Sequence, residues 1–426
     1  MQRSLWALAL LVTASAAMAD GSVSTLDFIR TRSERAFRQT PRHVLAFYYT
    51  WYGPVGEDGR GQHWGKVDAA AQDIEASTHY PVGGAYDSHD PEVIDRHIHQ
   101  AQACGIDTFI STWWGRDTFE DRAFGLLLDR AALADFHATI YWERAPGEGE
   151  DQIRAAVRDM LYVLGKYASH DAFLKLDGKP VIFVYGRVMN QVPVGSWPEI
   201  ITEVEESYGS EVVFIADGYQ ESYARLLDGV HTYNICGWVQ KNSPEELRTL
   251  ARERFEASVG LARGLGKISC LTVIPGYDDT KIRTPGTDAE RHDGRTYRVL
   301  WEEAIAADSD WVLITSWNEW HEGSEIEPSV EHGDKYLRLT REYATRFRAQ
   351  PPVPQDRGDG TGVPAEMAAA MRELYRGRTI GILPAYGGQA PFWLADVGVD
   401  LYELTWDDVV NLAVLTPHAL PSKYLR

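Results

Sequence analysis

The segment Trp311-Val-Leu-Ile-Thr-Ser316 decides the fold class, because an apolar run of strand length leads directly into a polar loop. The loop reads Trp317-Asn-Glu-Trp-His-Glu-Gly-Ser-Glu-Ile-Glu-Pro328. A continuous apolar run of this length is typical of a parallel strand buried on both faces. Four carboxylates and an imidazole follow it at once, which indicates that the carboxyl end of this strand borders a functional site.

Seven further strand-like runs precede this segment and alternate with longer amphipathic stretches, such as residues 91–104 and 297–307. The eight runs are residues 44–49, 108–114, 138–143, 181–185, 212–217, 232–236, 268–274 and 311–316. This rhythm predicts an α/β protein with a (β/α)8 barrel of the triosephosphate isomerase type. A doubly wound open sheet has a similar rhythm and is the alternative.

Both ends of the chain differ in composition from the central part. Residues 1–19 begin with a positive charge, continue through a short apolar run and end in Ala-Met-Ala, which is the pattern of a signal peptide; an uncleaved anchor is the alternative. Residues 20–349 form the predicted barrel domain, and residues 350–363, rich in Pro, Gly and Asp, resemble a linker. Residues 364–426 predict a small C-terminal α/β appendage of unknown function. We therefore expect a secreted or periplasmic protein.

Charge and composition restrict the class of partner. Of the 426 residues, 44% are hydrophobic, so the chain can bury a large core. Its 42 basic and 62 acidic residues give a formal net charge of -20, which repels nucleic acid and anionic membranes. Apart from the short run near the start, no stretch approaches the roughly 20 apolar residues of a membrane helix. We expect a neutral or cationic substrate, no nucleic acid partner and no membrane span.

Metal and nucleotide chemistry are not favoured by the sequence. His97 and His99 lie two positions apart in a predicted helix and would point in different directions, and the other histidines match no zinc spacing. No nucleophile elbow, P-loop or dinucleotide fingerprint occurs in the required context. The three cysteines are widely spaced, which predicts buried free thiols. We expect neither a cofactor nor a metal.

The loop after residue 316 contains a pair of carboxylates suited to glycoside cleavage. This reaction needs a protonated carboxylic acid at the leaving oxygen and a second carboxylate that acts on the sugar. Glu319 and Glu322 lie three positions apart, so they share one face if the loop begins a helical turn, and their crowding would raise the pKa of one of them. A solvated acidic loop is the alternative, but Trp317 and Trp320 argue against it.

Aromatic and polar side chains also follow other strand ends. Sugar rings pack their C–H faces on aromatic rings while their hydroxyls need hydrogen bonds, so an oligosaccharide or polysaccharide cleft requires both. The candidate substrate-binding residues are Tyr49, Trp51, Tyr52, His63, Trp113, Glu143, Tyr277, Arg283 and His321. Each of them could instead serve packing, helix capping or a surface ion pair. Their shared position favours a cleft.

Five motifs resemble family 99 of the glycoside hydrolases, the endo-α-mannosidases and endo-α-mannanases. They are Phe47-Tyr-Tyr-Thr-Trp-Tyr-Gly53, His63-Trp64, Tyr86-Asp-Ser-His-Asp-Pro-Glu92, Pro275-Gly-Tyr-Asp-Asp-Thr-Lys-Ile-Arg283 and Trp317-Asn-Glu-Trp-His-Glu-Gly323. The resemblance spans residues 44–337. It implies a (β/α)8 barrel, no metal, and retaining cleavage within α-mannan or mannose-containing glycans.

The same resemblance implies roles for individual residues. By motif position, Glu319 is the base that removes the proton of the sugar 2-hydroxyl, so that this oxygen displaces the leaving group and an anhydro-sugar forms. Glu322 is the acid that protonates the leaving oxygen and later activates water. The residues that fall at the family's sugar subsites are Trp113, Glu143, Arg283 and Asn318.

The sequence departs from the family pattern at Thr50, where proline is expected, and at Ser324 and Glu325, where threonine and glutamine are common. The loop of residues 54–62 is also unusual. These departures concern the substrate rather than the acid and base, because cleft loops select the neighbouring sugars. A non-catalytic glycan-binding barrel and a glycosidase acting on another envelope polysaccharide are the alternatives.

Overall fold

The computed structural model describes residues 40–351, together with residues 28, 29, 31, 32, 35 and 37. The predicted signal peptide at residues 1–19 and the appendage at residues 364–426 lie outside the described residues. The same holds for all but the first two residues of the predicted linker, residues 350–363.

Eight parallel strands form a closed barrel. They are β1 (His43–Tyr48), β2 (Thr108–Trp113), β3 (His137–Trp142), β4 (Lys179–Val184), β5 (Val213–Asp217), β6 (Gly229–His231), β7 (Ile268–Val273) and β8 (Trp311–Ile314). Each strand pairs with its neighbours in chain order, and β8 pairs with β1 to close the circle. This closure confirms the predicted (β/α)8 barrel and excludes the open sheet.

Helices follow the strands and surround the barrel. They are α1 (Pro91–Cys104), α2 (Phe119–Leu133), α3 (Gly149–Tyr167), α4 (Gly186–Gln191), α5 (Trp197–Tyr208), α6 (Glu221–Leu226), α7 (Cys236–Lys241), α8 (Pro244–Gly264), α9 (Arg295–Ala306) and α10 (Lys335–Arg348). None of the helices in the described part of the chain has the length and apolar character needed to cross a membrane.

Helix α1 illustrates how local sequence sets these boundaries. The side chain of Asp90 accepts a hydrogen bond from the N–H of Glu92, and Pro91 fits the first turn because its fixed φ suits a helix start. Gly105 ends the helix in a left-handed conformation, with φ 87°. The buried positions recur every three or four residues, as expected for a helix with one apolar face. They are Val93, Ile94, His97, Ile98, Ala101 and Cys104.

Successive residues of the strands point to opposite faces of the sheet. The side chains that point inward fill the barrel and form the floor of the cleft. Leu45 and Phe47 of β1 belong to the cluster that fills the barrel, whereas Val44 packs under the helices. Near the carboxyl ends of the strands the filling becomes aromatic. The ring centroid of Phe47 lies 4.8 Å from that of Tyr141 and 5.0 Å from that of Tyr233.

The sequence prediction for the sixth strand is wrong. The strand is β6, Gly229–His231, and the predicted residues 232–236 form a loop and the first residue of α7. Asn234 explains the difference, because its side-chain oxygen accepts a hydrogen bond from the N–H of Cys236 over 2.7 Å and turns the chain into the helix. All three cysteines are free, and Cys104 and Cys270 are buried as predicted, but Cys236 is only partly buried.

Candidate active site

The loop after β8 places Glu319 and Glu322 at the carboxyl end of the barrel. The peptide bond between Thr315 and Ser316 is cis. The hydroxyl of Ser316 accepts a hydrogen bond from the N–H of Glu319 over 2.8 Å. A 3-10 turn, Trp320–Glu322, then begins directly after Glu319. The helical turn that the spacing of the two carboxylates requires is therefore present.

Gly323 ends this turn and lets the loop after β7 pack against it. Its φ is 55°, and a Cβ at this position would lie 2.9 Å from the carbonyl oxygen of Asp278. Only glycine meets both conditions without strain. This contact brings the loop after β7, which contains Arg283, close to Glu322.

Glu322 receives hydrogen bonds from two other loops. Arg283 donates from Nη2 to Oε1 over 3.2 Å, and the hydroxyl of Tyr233 donates to Oε2 over 3.3 Å. Arg283 also donates from Nη1 to the hydroxyl of Tyr277 over 2.7 Å, and it forms an ion pair with Asp279. The loops after β6, β7 and β8 thus converge on one carboxyl group.

Both carboxyl groups resist ionisation. Burial raises the pKa of Glu319 well above its usual value, and the charge of Glu322 raises it further, while the backbone N–H of His321 opposes the shift. Burial also raises the pKa of Glu322, and hydrogen bonds from Tyr277, Arg283 and Tyr233 oppose it. The predicted crowding effect is present, but burial is the larger cause. Such a pair can retain a proton near neutral pH.

The rings of Trp51, His63 and His321 pack together beside the carboxyl pair, and we call them the aromatic wall. The rings of Trp51 and His63 are stacked, with centroids 4.8 Å apart and an interplanar angle of 4°. The ring of His321 lies 5.7 Å from that of Trp51, and its Nε2 contacts the backbone carbonyl of His63. Burial lowers the pKa of His321 to about 4, so the ring is neutral at neutral pH. The wall offers a flat, uncharged face to a sugar ring.

Three of the predicted substrate-binding residues have no exposed surface in this structure. The hydroxyl of Tyr52 donates to the carbonyl of Asn318 and accepts from the N–H of Trp320, each over 3.1 Å. Asn318 accepts from the backbone N–H of Tyr49 over 2.7 Å and donates to its carbonyl over 2.9 Å. Trp113 donates its indole N–H to an aspartate of α2 over 2.9 Å. These side chains support the cleft from below instead of lining it.

Glu143 and Tyr49 are buried near the carboxyl pair, since burial and the nearby charge of Glu322 raise the pKa of both. Glu143 is 3% exposed and accepts a hydrogen bond from the hydroxyl of Thr112 over 2.8 Å. Burial raises the pKa of Glu143 to about 8, and the negative charge of Glu322 contributes to the increase. Glu143 is therefore mostly protonated at neutral pH and can donate a hydrogen bond to a sugar hydroxyl.

A cavity of about 520 Å³ adjoins the pair at the ends of β4, β5 and β6. Its lining includes Tyr185, Arg187, Asn190, Asp217, Tyr233 and Asn234. The guanidinium of Arg187 lies 4.9 Å from the ring of Trp114 and 5.6 Å from that of Tyr185. Tyr233 was not predicted as a site residue because it fell within the misplaced strand, and Arg187 was not predicted because no local sequence pattern marks it.

The other two carboxylates of the loop face the protein interior. Glu325 lies 2.7 Å from Arg291 Nη2 and 2.9 Å from His79 Nδ1. Burial alone would raise the pKa of Glu325, but Arg291 and His79 outweigh burial and lower it. Glu327 lies against His97 of α1. Within residues 40–351, no group of three or more His, Cys, Asp or Glu side chains is placed to hold a metal ion.

The chain is similar in sequence and fold to known glycoside hydrolases. The family model described as glycosyl hydrolase family 99 matches residues 40–345. Mouse glycoprotein endo-alpha-1,2-mannosidase is 25% identical over 355 residues, which cover 71% of this chain and 74% of that protein. The human glycoprotein endo-alpha-1,2-mannosidase-like protein is 26% identical, with 71% and 75% covered. The solved GH99 endo-alpha-mannosidase of Bacteroides thetaiotaomicron is 27% identical, with a TM-score of 0.61, and 72% of this chain and 97% of that chain are covered.

Proposed function

Since the chain belongs to glycosyl hydrolase family 99, we propose that this glycoside hydrolase cleaves α-mannosidic linkages within mannan or mannose-containing glycans, with retention of configuration. The observation that carries the proposal is the pair of buried Glu319 and partly buried Glu322 at the carboxyl end of the barrel, with Arg283 bound to only one of them. The names of the relatives support mannose as the sugar. The signal-peptide pattern of residues 1–19 supports an exported enzyme.

In the proposed mechanism, Glu319 accepts the proton of the sugar 2-hydroxyl. The freed oxygen attacks C1, the bond to the leaving oxygen breaks, and Glu322 gives its proton to that oxygen. Glu322 then takes a proton from water, the water oxygen attacks C1, the bond between C1 and the 2-oxygen breaks, and Glu319 returns its proton to the 2-oxygen. Two successive inversions at C1 give retention. No glycosyl ester of the enzyme forms.

The surroundings of the two carboxyl groups differ in ways that bear on these roles. A carboxylate accepts a proton from a weakly acidic hydroxyl more readily when its own pKa is high, and burial gives Glu319 this property. Glu322 must both release and accept a proton, and its contacts with Arg283 and Tyr233 can stabilise its charged form. Between its two macroscopic pKa values the pair holds one proton. The more strongly raised pKa of Glu319 favours that proton on Glu319 in the free protein, so the mechanism requires its transfer to Glu322 when the substrate binds.

Surfaces suited to sugar binding adjoin each member of the pair, which supports cleavage within a chain. The stacked rings of Trp51 and His63 adjoin Glu319 through His321, and the cavity of about 520 Å³ adjoins Glu322 through Tyr233. Arg187, Asp217 and the amide of Asn190 in the cavity can bind sugar hydroxyls. The buried carboxyl of Glu143 can do the same at its edge.

The decisive experiment incubates the purified protein with α-mannans and α-glucans and determines product sizes by mass spectrometry. We expect oligosaccharides from α-mannan with the wild type and with the control Glu206→Gln, whose carboxylate is exposed on α5. Glu319→Gln and Glu322→Gln should yield none. NMR of the first product should show retained configuration, and a substrate without the 2-hydroxyl at the cleaved sugar should remain intact.

Other outcomes identify which part of the proposal fails. Binding of mannan without any cleavage by the wild type would indicate a glycan-binding barrel. If the protein released products only from another polysaccharide, the proposal that mannose is the sugar at the cleaved linkage would be refuted. An inverted product, or cleavage of the substrate that lacks the 2-hydroxyl, would refute the role given to Glu319.

A further inference from the structure

Another carboxylate of the loop that carries Glu319, that of Glu327, is buried in the protein interior. It accepts hydrogen bonds from two aromatic side chains: the hydroxyl of Tyr86 over 2.8 Å and the indole N–H of Trp320 over 3.2 Å, both to Oε2. Its Oε1 lies 2.9 Å from Nε2 of His97. Glu327 is 6% exposed, and both of its carboxylate oxygens already have partners within the protein. These donors come from the loop after β1, the loop after β8 and helix α1.

This network holds both chain neighbours of Glu319. Trp320, which follows Glu319, donates directly to Glu327. Asn318, which precedes it, donates from Nδ2 to the hydroxyl of Tyr86 over 3.0 Å, and that hydroxyl donates to Glu327. We propose that Glu327 is a positioning residue, which keeps the base Glu319 in its reactive place by fixing the residues on either side of it. This inference rests on the proposed function, because it takes Glu319 as the base.

Helix α1 anchors Glu327 in turn. A carboxylate oxygen only accepts hydrogen bonds, so the proton between His97 and Glu327 is assigned to Nε2 of the imidazole. The other ring nitrogen, Nδ1, lies 3.0 Å from the hydroxyl of Tyr48, which can donate to it. His97 is fully buried. The chain of contacts therefore runs from β1 through α1 to the catalytic loop.

Glu319 depends on this support because it has few contacts of its own. Its carboxylate accepts from the N–H of His321 over 3.2 Å, and its N–H donates to Ser316. No lysine or arginine within residues 40–351 forms an ion pair with it. A displacement of about 1 Å in a reacting group can cost roughly 100-fold in rate. Loss of the network should therefore lower kcat and leave KM nearly unchanged.

The test compares Glu327→Gln with Glu327→Ala. The glutamine oxygen can still accept from Tyr86 and Trp320, and its amide can donate to Nε2 of His97 once the imidazole proton moves to Nδ1. The glutamine variant keeps the network and loses only the charge. We expect kcat on mannan to fall roughly 100-fold in Glu327→Ala, with KM within about twofold, and to remain near the wild-type value in Glu327→Gln.

Tyr86→Phe provides a second test if Glu327→Ala does not fold. Phenylalanine fills nearly the same volume but removes the link from Asn318 to Glu327, so kcat should fall roughly tenfold at an unchanged KM. Wild-type kcat in Tyr86→Phe, or equal loss in the alanine and glutamine variants, would overturn the proposal. Full activity of Glu319→Gln would refute the proposed function instead. Inactive Glu319→Gln with fully active Glu327→Ala would refute only the positioning role.

Discussion

Arg283 donates a hydrogen bond from Nη2 to Oε1 of Glu322 over 3.2 Å and so places a positive charge beside one member of the carboxyl pair. Its other terminal nitrogen is directed to Tyr277 and Asp279 by hydrogen bonds, which limits its freedom. In the described part of the chain, Glu319 forms no such pair with a lysine or arginine. Glu319 is almost fully buried, whereas the side chain of Glu322 is 15% exposed, and the two carboxyl groups also differ in charge environment, which can divide their roles.

Replacement of this arginine should change the pH profile. Arg283 lowers the pKa of Glu322, so Arg283→Gln should raise that pKa. If Glu322 acts in its protonated form, the alkaline limb of the profile of kcat/KM moves to higher pH. Loss of the charge-assisted hydrogen bond should also reduce kcat/KM roughly tenfold, a modest value because Arg283 is half-exposed. The measurement is kcat/KM on mannan from pH 4 to about 9.

A matched control is Arg295→Gln, which removes an exposed ion pair with Glu245 between two outer helices. This variant should leave both the alkaline limb of the pH profile and the value of kcat/KM unchanged. An alkaline limb that stays in place or moves to lower pH in Arg283→Gln would mean that Glu322 is not the acid.

The fold could be predicted from the sequence because each barrel strand is a short, nearly continuous apolar run. Seven of the eight runs overlap the observed strands. The sixth differs because β6 is only three residues long, and Val230 alone gives it an apolar signal. Tyr233 and Ile235 follow β6 in the chain and strengthen the apolar signal there, but they are buried by tertiary packing and not by strand pairing.

The site could be predicted only in part. The motif around Glu319 and Glu322 is contiguous in sequence, so its position could be predicted. Which aromatic residues face the cleft depends on strand register and loop path, and sequence spacing does not give either. Trp113 and Tyr52 are therefore at the expected places in the chain but point into the core. The contact between Tyr233 and Glu322 joins residues 89 positions apart and has no local signal.

The turn after Glu322 should tolerate no side chain at Gly323. In Gly323→Ala, the positive φ is unfavourable and the new Cβ would lie 2.9 Å from Asp278. We expect a loss of roughly 2 kcal/mol or more in the free energy of unfolding, and a fall in kcat because the turn that carries Glu322 must shift. Urea denaturation and mannan hydrolysis measure the two effects.

Gly333→Ala is the matched control on the same loop. Gly333 has φ 57°, but a Cβ there would meet nothing within 4 Å. Its substitution should cost about 1 kcal/mol from the backbone conformation alone and should leave kcat intact. Equal losses of activity in both variants would show that the contact with Asp278 is unimportant.

Glu143 should make the stability of the protein fall as the pH rises. The folded-state pKa of about 8 lies above the unfolded value of about 4.3, so this group stabilises the folded state only while it is protonated. Its contribution is complete below about pH 4 and is lost as the pH rises through about 8. Glu143→Gln resembles the protonated form and cannot lose this proton. Its melting temperature relative to wild type should therefore increase between pH 5 and about 9.

The exposed carboxylate of Glu150 supplies the comparison for this measurement. Glu150→Gln should shift the melting temperature by a similar small amount at every pH, because its charge is solvated in both states. The corresponding change in the free energy of unfolding of Glu143→Gln relative to wild type should not exceed a few kcal/mol, since each pKa unit corresponds to about 1.4 kcal/mol. A constant difference between Glu143→Gln and wild type across this range would mean that Glu143 is already ionised in the folded protein. It would then bind sugar hydroxyls as an acceptor and not as a donor.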